Sequence, residues 1–316
     1  MFVKKRKIKT LVIGGAGYIG SNLIPLLINS GRYVTVLGRS RNPLYALPVD
    51  TQYVVGDFSN TELITRLLDV HKEVVQLAYA TVPNTSFTNP LQDLLQNLPP
   101  TVKLFSAAAK SGSIVLFVSS GGTVYGEAIE TPISESHPTH PISPYGVTKL
   151  TLENYASLYA VTHGLKFVCV RPSNAYGVGQ RPYVGQGFVS TAMASAIVGN
   201  PILIFGENGT IRDYIYVSDL AAGIVCALED GHLFNTYNLG SGIGYCNSDI
   251  VAAFSPLLQQ SGYDVRTEHL PKRLFDVKVN ILDSSKLSLH TGWQRKVSLL
   301  EGLNMTYNWL KRSKYE

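Results

Sequence analysis

The stretch Ile8-Lys9-Thr10-Leu11-Val12-Ile13-Gly14-Gly15-Ala16-Gly17-Tyr18-Ile19-Gly20 decides how the rest of the chain is read. Residues 8–13 form a short run of apolar and β-branched side chains, the pattern of a buried strand. An apolar helical pattern at Ile19, Leu23, Leu26 and Leu27 follows, and Ser30-Gly31 stops it. Between strand and helix, Gly14, Gly17 and Gly20 stand in GxxGxxG spacing. The first glycine permits a tight turn, the second lets the backbone approach a pyrophosphate, and the third allows close helix–strand packing. Phosphates then sit on the helix N-terminus, where free N–H groups and the dipole favour negative charge. A bare glycine triplet is weak evidence; the flanking strand and helix make it a dinucleotide-binding fingerprint.

Outward from this loop the same alternation continues. Strands are expected at 33–37, 53–55, 74–78 and 114–118, with helical segments near 60–70, 91–98 and 101–110. Residues 143–163 read as a long helix, followed by a strand at 167–170. Strands alternating with helices predict an α/β fold, a Rossmann-like doubly wound parallel sheet. After about residue 175 glycines multiply and the strands shorten. That division predicts a dinucleotide-binding domain over 1–175 and a smaller α/β substrate lobe, mainly 176–316, interleaved with it. No internal repeat is visible.

Composition narrows the function classes. The 316 residues are 45% hydrophobic and 16% charged, enough for a sizeable core and unlike a disordered chain. The net charge of +5 is a local property. Lys4, Lys5, Arg6, Lys7 and Lys9 form a basic tail, leaving 22 basic against 22 acidic residues elsewhere. A nucleic-acid binder is expected to cluster Lys and Arg on a folded face, so no nucleic-acid partner is expected. No run of about 18 apolar residues suggests a membrane span. Only Leu11 to Ile13 precede Gly14 as an apolar run, too short for a signal-peptide core, so a cytoplasmic location is expected. Cys169, Cys226 and Cys246 lie far apart without CxxC spacing, which argues against a disulfide scaffold or a zinc site.

Two positions bear on the cofactor. An acidic residue at the end of the second strand would bind the adenosine ribose of NAD. This chain has Gly38-Arg39 there. Arg39 either pairs with the 2′-phosphate of NADP or is an exposed loop arginine, with NAD held by its other contacts. Asp57, after the third strand, is placed to touch the adenine.

Tyr145-Gly146-Val147-Thr148-Lys149 is a YxxxK motif at the start of the 143–163 helix. Positions i and i+4 share a helix face. Lys149 is therefore expected to lower the Tyr145 pKa and to hold the nicotinamide ribose, leaving the tyrosine able to act as general acid or base on a sugar hydroxyl. About 20 residues earlier runs Ser119-Ser120-Gly121-Gly122-Thr123-Val124-Tyr125-Gly126, a hydroxyl- and glycine-rich loop at a strand end. Ligands of such sheets bind at the carboxyl ends of the strands.

With these motifs in order, the chain resembles the extended short-chain dehydrogenase/reductase family, in particular its nucleotide-sugar 4-epimerases. Further marks are Gly56-Asp57, Asn97, Arg171-Pro172-Ser173-Asn174, Arg212-Asp213-Tyr214-Ile215-Tyr216-Val217-Ser218-Asp219 and Arg273-Leu274-Phe275-Asp276-Val277. The resemblance implies that NAD, or NADP, also meets Tyr18, Ile19, Phe58, Leu77, Ala78, Asn97 and Pro172. It implies a nucleoside-diphosphate sugar, UDP-linked, bound by Thr123, Asn174, Tyr214 and Asp276, with Arg212 and Arg273 clamping the diphosphate. Two arginines suit that task through charge-assisted, often bidentate bonds. It also implies a homodimer through a four-helix bundle built from helices at 91–110 and 143–163.

Three departures matter. Relatives usually carry a catalytic Ser or Thr four residues before the tyrosine of the TVYG segment, where this chain has Gly121. Thr123 or Ser120 would supply the missing hydrogen bond, with Thr123 preferred. Relatives restricted to unsubstituted hexoses often place a bulky tyrosine seven residues after the phosphate arginine. Asn280 stands there and is expected to leave room for a 2-acetamido group. Dehydratases of the family usually show an Asp-Glu pair in the hydroxyl loop, where Gly121-Gly122 stands. The expected activity is thus a nucleotide-sugar 4-epimerase. The alternatives are an NADPH-dependent 4-keto-sugar reductase and a non-catalytic dinucleotide-binding protein.

Overall fold

A computed structural model describes residues 8–273 and 276–313. Lys4, Lys5, Arg6 and Lys7 of the basic tail, and Leu274 and Phe275 of the Arg273 segment, lie outside the described residues.

The first half alternates strand and helix. It runs β1 (Lys9–Ile13), α1 (Tyr18–Asn29), β2 (Tyr33–Gly38), β3 (Gln52–Val55), α2 (Thr61–Val70), β4 (Glu73–Gln76), α3 (Pro83–Thr88), α4 (Pro90–Ser111), β5 (Ile114–Val118), α5 (Pro144–His163) and β6 (Lys166–Pro172). The second half continues with β7 (Asn174–Tyr176), α6 (Phe188–Ile197), β8 (Ile202–Phe205), β9 (Ile211–Tyr216), α7 (Val217–Glu229), β10 (Thr236–Leu239) and β11 (Gly244–Tyr245). It ends with α8 (Asn247–Gln259), β12 (Thr267–Leu270), β13 (Val279–Asn280), α9 (Ser285–Thr291) and α10 (Leu299–Arg312).

Seven parallel strands form the main sheet in the order β10-β6-β5-β4-β1-β2-β3. The order reverses between β1 and β4, which opens a crevice at their carboxyl ends. The expected doubly wound sheet is therefore present, and its seventh strand comes from beyond residue 175. Side chains alternate across it as a strand's period of two requires. Val12 belongs to the apolar cluster shared with α1 and α7, whereas Leu11 and Ile13 belong to the cluster on the opposite face, with α4 and α5.

A separate body packs around β9, which is flanked by β7, β11 and β13. Helices α6, α8 and α10 cover it, and their apolar faces bury Tyr176, Tyr214, Met193, Phe254 and Leu303. The carboxylate of Asp213 ties this body together. It accepts hydrogen bonds from Ser173 Oγ, from the Ser241 hydroxyl and backbone N–H, and from the backbone N–H groups of Gly242 and Leu282.

Two local expectations are corrected. The helices expected at 91–98 and 101–110 are one, α4, which runs through Pro99 and Pro100. The carbonyls that lose their i+4 donors belong to Leu95 and Gln96, two exposed residues on the outer side of the helix. The second half is also more helical than its glycines suggest, because α6, α7, α8 and α10 each span ten residues or more.

Candidate active site

The glycine loop wraps the carboxyl end of β1. Gly14 adopts φ +80°, and a Cβ there would lie 2.8 Å from the Ala78 backbone nitrogen. Only a glycine lets this turn close against the chain leaving β4. Both Leu77 and Ala78 donate their N–H groups to Ile13 O, which fixes the second wall of the crevice. Gly17 is the N-cap of α1, with no side-chain cap and no acidic residue in the first turn. The helix N-terminus therefore presents its N–H groups unanswered by side chains. A Cβ at Gly20 would lie 2.2 Å from Gly15 O, so helix and loop pack as closely as the motif anticipates.

The remaining cofactor candidates divide. Arg39 and Asp57 are exposed at the ends of β2 and β3. Asp57 Oδ1 accepts from Ser59 N–H at 2.7 Å. The Ser59 hydroxyl and amide, assisted by the Arg39 charge, hold its carboxyl below the usual range. Phe58 and Ile19 pack on opposite core faces, and Leu77 joins the Ile19 face. Tyr18 turns its ring into the body around β9, facing Tyr176 and Tyr216, so toward the crevice it offers only backbone. Asn97 is buried; it accepts from Ala80 N–H at 2.8 Å and donates to Asp93 O at 2.7 Å. It braces the loop after β4 against α4.

Beside this crevice lies a cleft of about 240 Å³. Ser120, Thr123, Tyr145, Pro172, Asn174 and Arg212 line it together, with Asp276 at its rim. Ser143 caps α5, its hydroxyl accepting from Gly146 N–H, and Pro144 takes the first helical position. Tyr145 and Lys149 thus lie one turn apart at the helix start. A Cβ at Gly146 would lie 2.7 Å from Thr123 O, so α5 rests directly on the hydroxyl loop. The loop is anchored below: the Ser119 hydroxyl donates to Glu153, and the Tyr125 hydroxyl donates to Asn238 Oδ1 and accepts from Arg171 Nη1.

The chemistry of the pair differs from the expectation. Lys149 is buried, donates to Val118 O at 2.8 Å, and its Nζ lies 5.6 Å from the Tyr145 ring centroid. Burial pushes its ammonium down to about 7. Burial also raises the Tyr145 phenol, the Asp93 charge raises it further, and a hydrogen bond from Ser120 opposes both. In this arrangement burial is the largest influence on both groups, and Lys149 is not among the groups that shift the Tyr145 phenol.

Ser120 is the hydroxyl near Tyr145 that lowers the proton affinity of the phenol. The Thr123 hydroxyl is buried in the cleft wall without a partner. The structure also explains the missing hydroxyl at Gly121. A Cβ there would lie 2.4 Å from Leu282 Cδ1 and 2.8 Å from Arg171 O, so nothing larger fits.

On the facing wall, Arg212 comes from β9 and Asp276 from the segment before β13. The Arg212 guanidinium donates to Ile211 O at 2.9 Å and forms no ion pair among the described residues. Burial lowers its proton affinity, with Asp276 opposing. Three expected substrate contacts do not line the cleft. Tyr214 is buried in the core around β9, edge-on to Tyr176. Arg273 stacks over the Phe205 ring at 3.6 Å. Asn280 is buried on β13 and donates to Gly121 O at 3.0 Å, which leaves the expected acetamido space without its wall residue. Sequence reasoning missed Pro83, Asn84 and Phe87 on α3 and Gly185 and Gln186 opposite, which form the cleft's lip. Asn84 Nδ2 donates to Gly185 O at 3.1 Å across it. Pro83, a helix-opening proline just past a strand's carboxyl end, was their one sequence signal. A larger, shallower groove of about 820 Å³ beside α9 holds none of the candidate residues.

The family model described as "NAD dependent epimerase/dehydratase family" matches residues 10–240. The UDP-glucose 4-epimerase of Mycolicibacterium smegmatis is 31% identical over 96% of this chain and 98% of its own length. The crystal structure of the Thermotoga maritima UDP-glucose 4-epimerase with UDP-glucose superposes with a TM-score of 0.89 at 32% identity, covering 97% of this chain and 99% of that one. The Thermus thermophilus UDP-glucose 4-epimerase in complex with NAD gives 0.88 at 30% identity, covering 96% and 99%.

Proposed function

The chain belongs to the NAD dependent epimerase/dehydratase family, and on that premise we propose that it is a nucleotide-sugar 4-epimerase acting on UDP-hexoses or UDP-N-acetylhexosamines. The observation that carries this reading is the single cleft in which Tyr145 and Ser120, on the dinucleotide side, face Asn174 and Arg212. A phenol that can exchange a proton and a guanidinium without a carboxylate partner are what a sugar joined to a diphosphate requires.

NAD fits the crevice. The Gly14–Gly17 turn and the open N-terminus of α1 would hold its pyrophosphate, Asp57 and Arg39 its adenosine end, and Lys149 the nicotinamide ribose. When bound, it takes up and returns the hydrogen and electron pair at C4 of the sugar. Tyr145 Oη removes the proton from the C4 hydroxyl and later restores it. Ser120 orients that phenol, and Thr123, whose hydroxyl has no protein partner, bonds the sugar. Arg212 neutralises the diphosphate, while Asp276 and Asn174 border it. Residues 1–175 thus hold the cofactor and supply one wall of the sugar site through Thr123, Tyr145 and Asn174, while the later segments supply the facing wall through Arg212 and Asp276. The exposed apolar side chains Leu91 and Leu95 on α4, and Val147 and Leu158 on α5, support a homodimer joined through these helices, which light scattering would measure.

Arg39 favours a second reading. A cation where an acidic residue is usual suits NADPH and a 4-keto-sugar reductase. One experiment separates the two: identify the cofactor released from purified protein, then supply UDP-glucose, UDP-N-acetylglucosamine and a 4-keto nucleotide sugar. Retained NAD with C4 inversion supports the epimerase; NADPH consumed in step with product supports the reductase. Tyr145→Phe abolishes either activity while cofactor binding persists. Activity surviving in that variant would refute the role given to the phenol.

A further inference from the structure

Behind the Tyr145–Lys149 pair lies a carboxylate that neither the YxxxK motif nor the mechanism above uses. Asp93, in the first turn of α4, is fully buried. It accepts hydrogen bonds from the Thr148 hydroxyl at 2.6 Å and from the Thr81 hydroxyl, and the Tyr79 hydroxyl reaches it at 3.5 Å. All three are neutral donors, and no ion pair engages Asp93 among the described residues. A buried carboxylate is stabilised by a cation nearby, and the nearest candidate follows from the groups around it.

That cation is identifiable by elimination. Tyr79 stands between Asp93 and Lys149. Its ring lies under Lys149 Nζ at 4.0 Å and meets the Tyr145 ring edge-on at 4.8 Å. The groups facing Lys149 are Glu153 and Tyr145 from α5, Tyr79 from the loop after β4, Phe117 from β5, Cys169 and Arg171 from β6, and Asp93 from α4. Glu153 is already neutralised by Arg171, which reaches it through Nη2 at 2.6 Å and Nε at 3.1 Å. Burial keeps the Cys169 thiol and the Tyr79 phenol protonated. With these set aside, Asp93 is the carboxylate left to answer Lys149.

We infer that Asp93 is the counter-ion of Lys149, a positioning residue that keeps the ammonium charged and seated on the Tyr79 ring beside Tyr145. This rests on reading Tyr145 and Lys149 as the working pair. It adds a determinant outside the pair, carried by Asp93, Thr148 and Tyr79. The direction of both titrations agrees: the Asp93 charge raises the proton affinity of Lys149 and of Tyr145 alike. Removing it lets the lysine lose its proton, and the phenol ionise, at lower pH.

The test is a titration of Lys149 in the intact protein carrying its own cofactor. Lysine-13C-labelled protein reports the Lys149 side-chain resonance, assigned by its loss in Lys149→Met. Asp93→Asn is expected to move that titration to lower pH by on the order of one unit, the effect of one partly screened charge. Asp93→Ser removes the same charge with a smaller side chain, moves the titration the same way, and decides the matter if Asp93→Asn does not fold. An unmoved Lys149 titration in a folded variant overturns the inference. Turnover of UDP-glucose or UDP-N-acetylglucosamine is followed in parallel: Asp93→Asn is expected to shift both limbs of the pH profile acidward, which a loss of packing alone would not do. If the wild-type protein turns over neither sugar, the epimerase reading fails, while the titration still decides the counter-ion.

Discussion

Restoring the hydroxyl that relatives carry at residue 121 should harm this protein. Gly121→Ser places a Cβ 2.4 Å from Leu282 Cδ1 and 2.8 Å from Arg171 O. Leu282 is fully buried and cannot swing aside into solvent. Overpacking of this kind costs about 1–3 kcal/mol. A hydrogen bond from the new hydroxyl to the Arg171 carbonyl offsets about 1 kcal/mol at most. Urea unfolding followed by the fluorescence of Trp293 and Trp309 reads the difference as a lowered midpoint at constant slope. Leu282→Ala alone destabilises by about 2–5 kcal/mol through its cavity. Combined with Gly121→Ser it should cost less than the two losses added, with a coupling on the order of 1–2 kcal/mol, because the new side chain occupies the vacated space. Turnover should not rise in Gly121→Ser, since Ser120 already stands near Tyr145 and acts on its phenol. A serine variant as stable as the parent, or strict additivity in the double variant, would refute the steric argument.

Other outcomes follow from the same geometry. Ser120→Ala should lower kcat by about 10- to 100-fold through loss of the bond to Tyr145, whereas Thr123→Val should act mainly on KM; equal effects on kcat would mean the two hydroxyls share one task. Lys149 releases its proton at about 7 in the folded protein but near 10.4 when unfolded. Between those values the unfolded chain binds the extra proton, so this group makes stability rise with pH, by at most about 1.4 kcal/mol per unit, and below about 7 its penalty is constant. Thermal unfolding from pH 7 to 9 should therefore show a steeper gain for the wild-type protein than for Lys149→Met; parallel curves would contradict the burial argument.

What the sequence made legible was what depends on neighbours in the chain. The glycine loop, the strand pattern around it and the Tyr145–Lys149 turn are local, and each is where its spacing put it. The misread features all depend on contacts made at a distance. Pro99 and Pro100 looked like a helix break because nothing local shows that the carbonyls they deprive belong to exposed residues. Tyr214 shares a strand with Arg212, yet α6 and α8 close over one and leave the other at the cleft. Gly121 looked like a defect in a catalytic loop until Leu282 supplied the reason. Asp93 was invisible as a site residue because an acidic side chain near a helix start usually just favours the dipole.

The short strand β13 carries a further implication, concerning the order in which the protein is made. Asn280 holds Gly121 O, and Leu282 fills the space behind it while donating to Asp213. The hydroxyl loop leaves the ribosome long before these partners exist. Pairings of such sequence separation form late in folding, after their loop-closure cost is met. A nascent chain can thus complete all seven strands of its main sheet and still lack a finished catalytic wall. Chains interrupted before β13 should keep the cofactor crevice and have no working cleft, so competence arrives with the last strand to be synthesised.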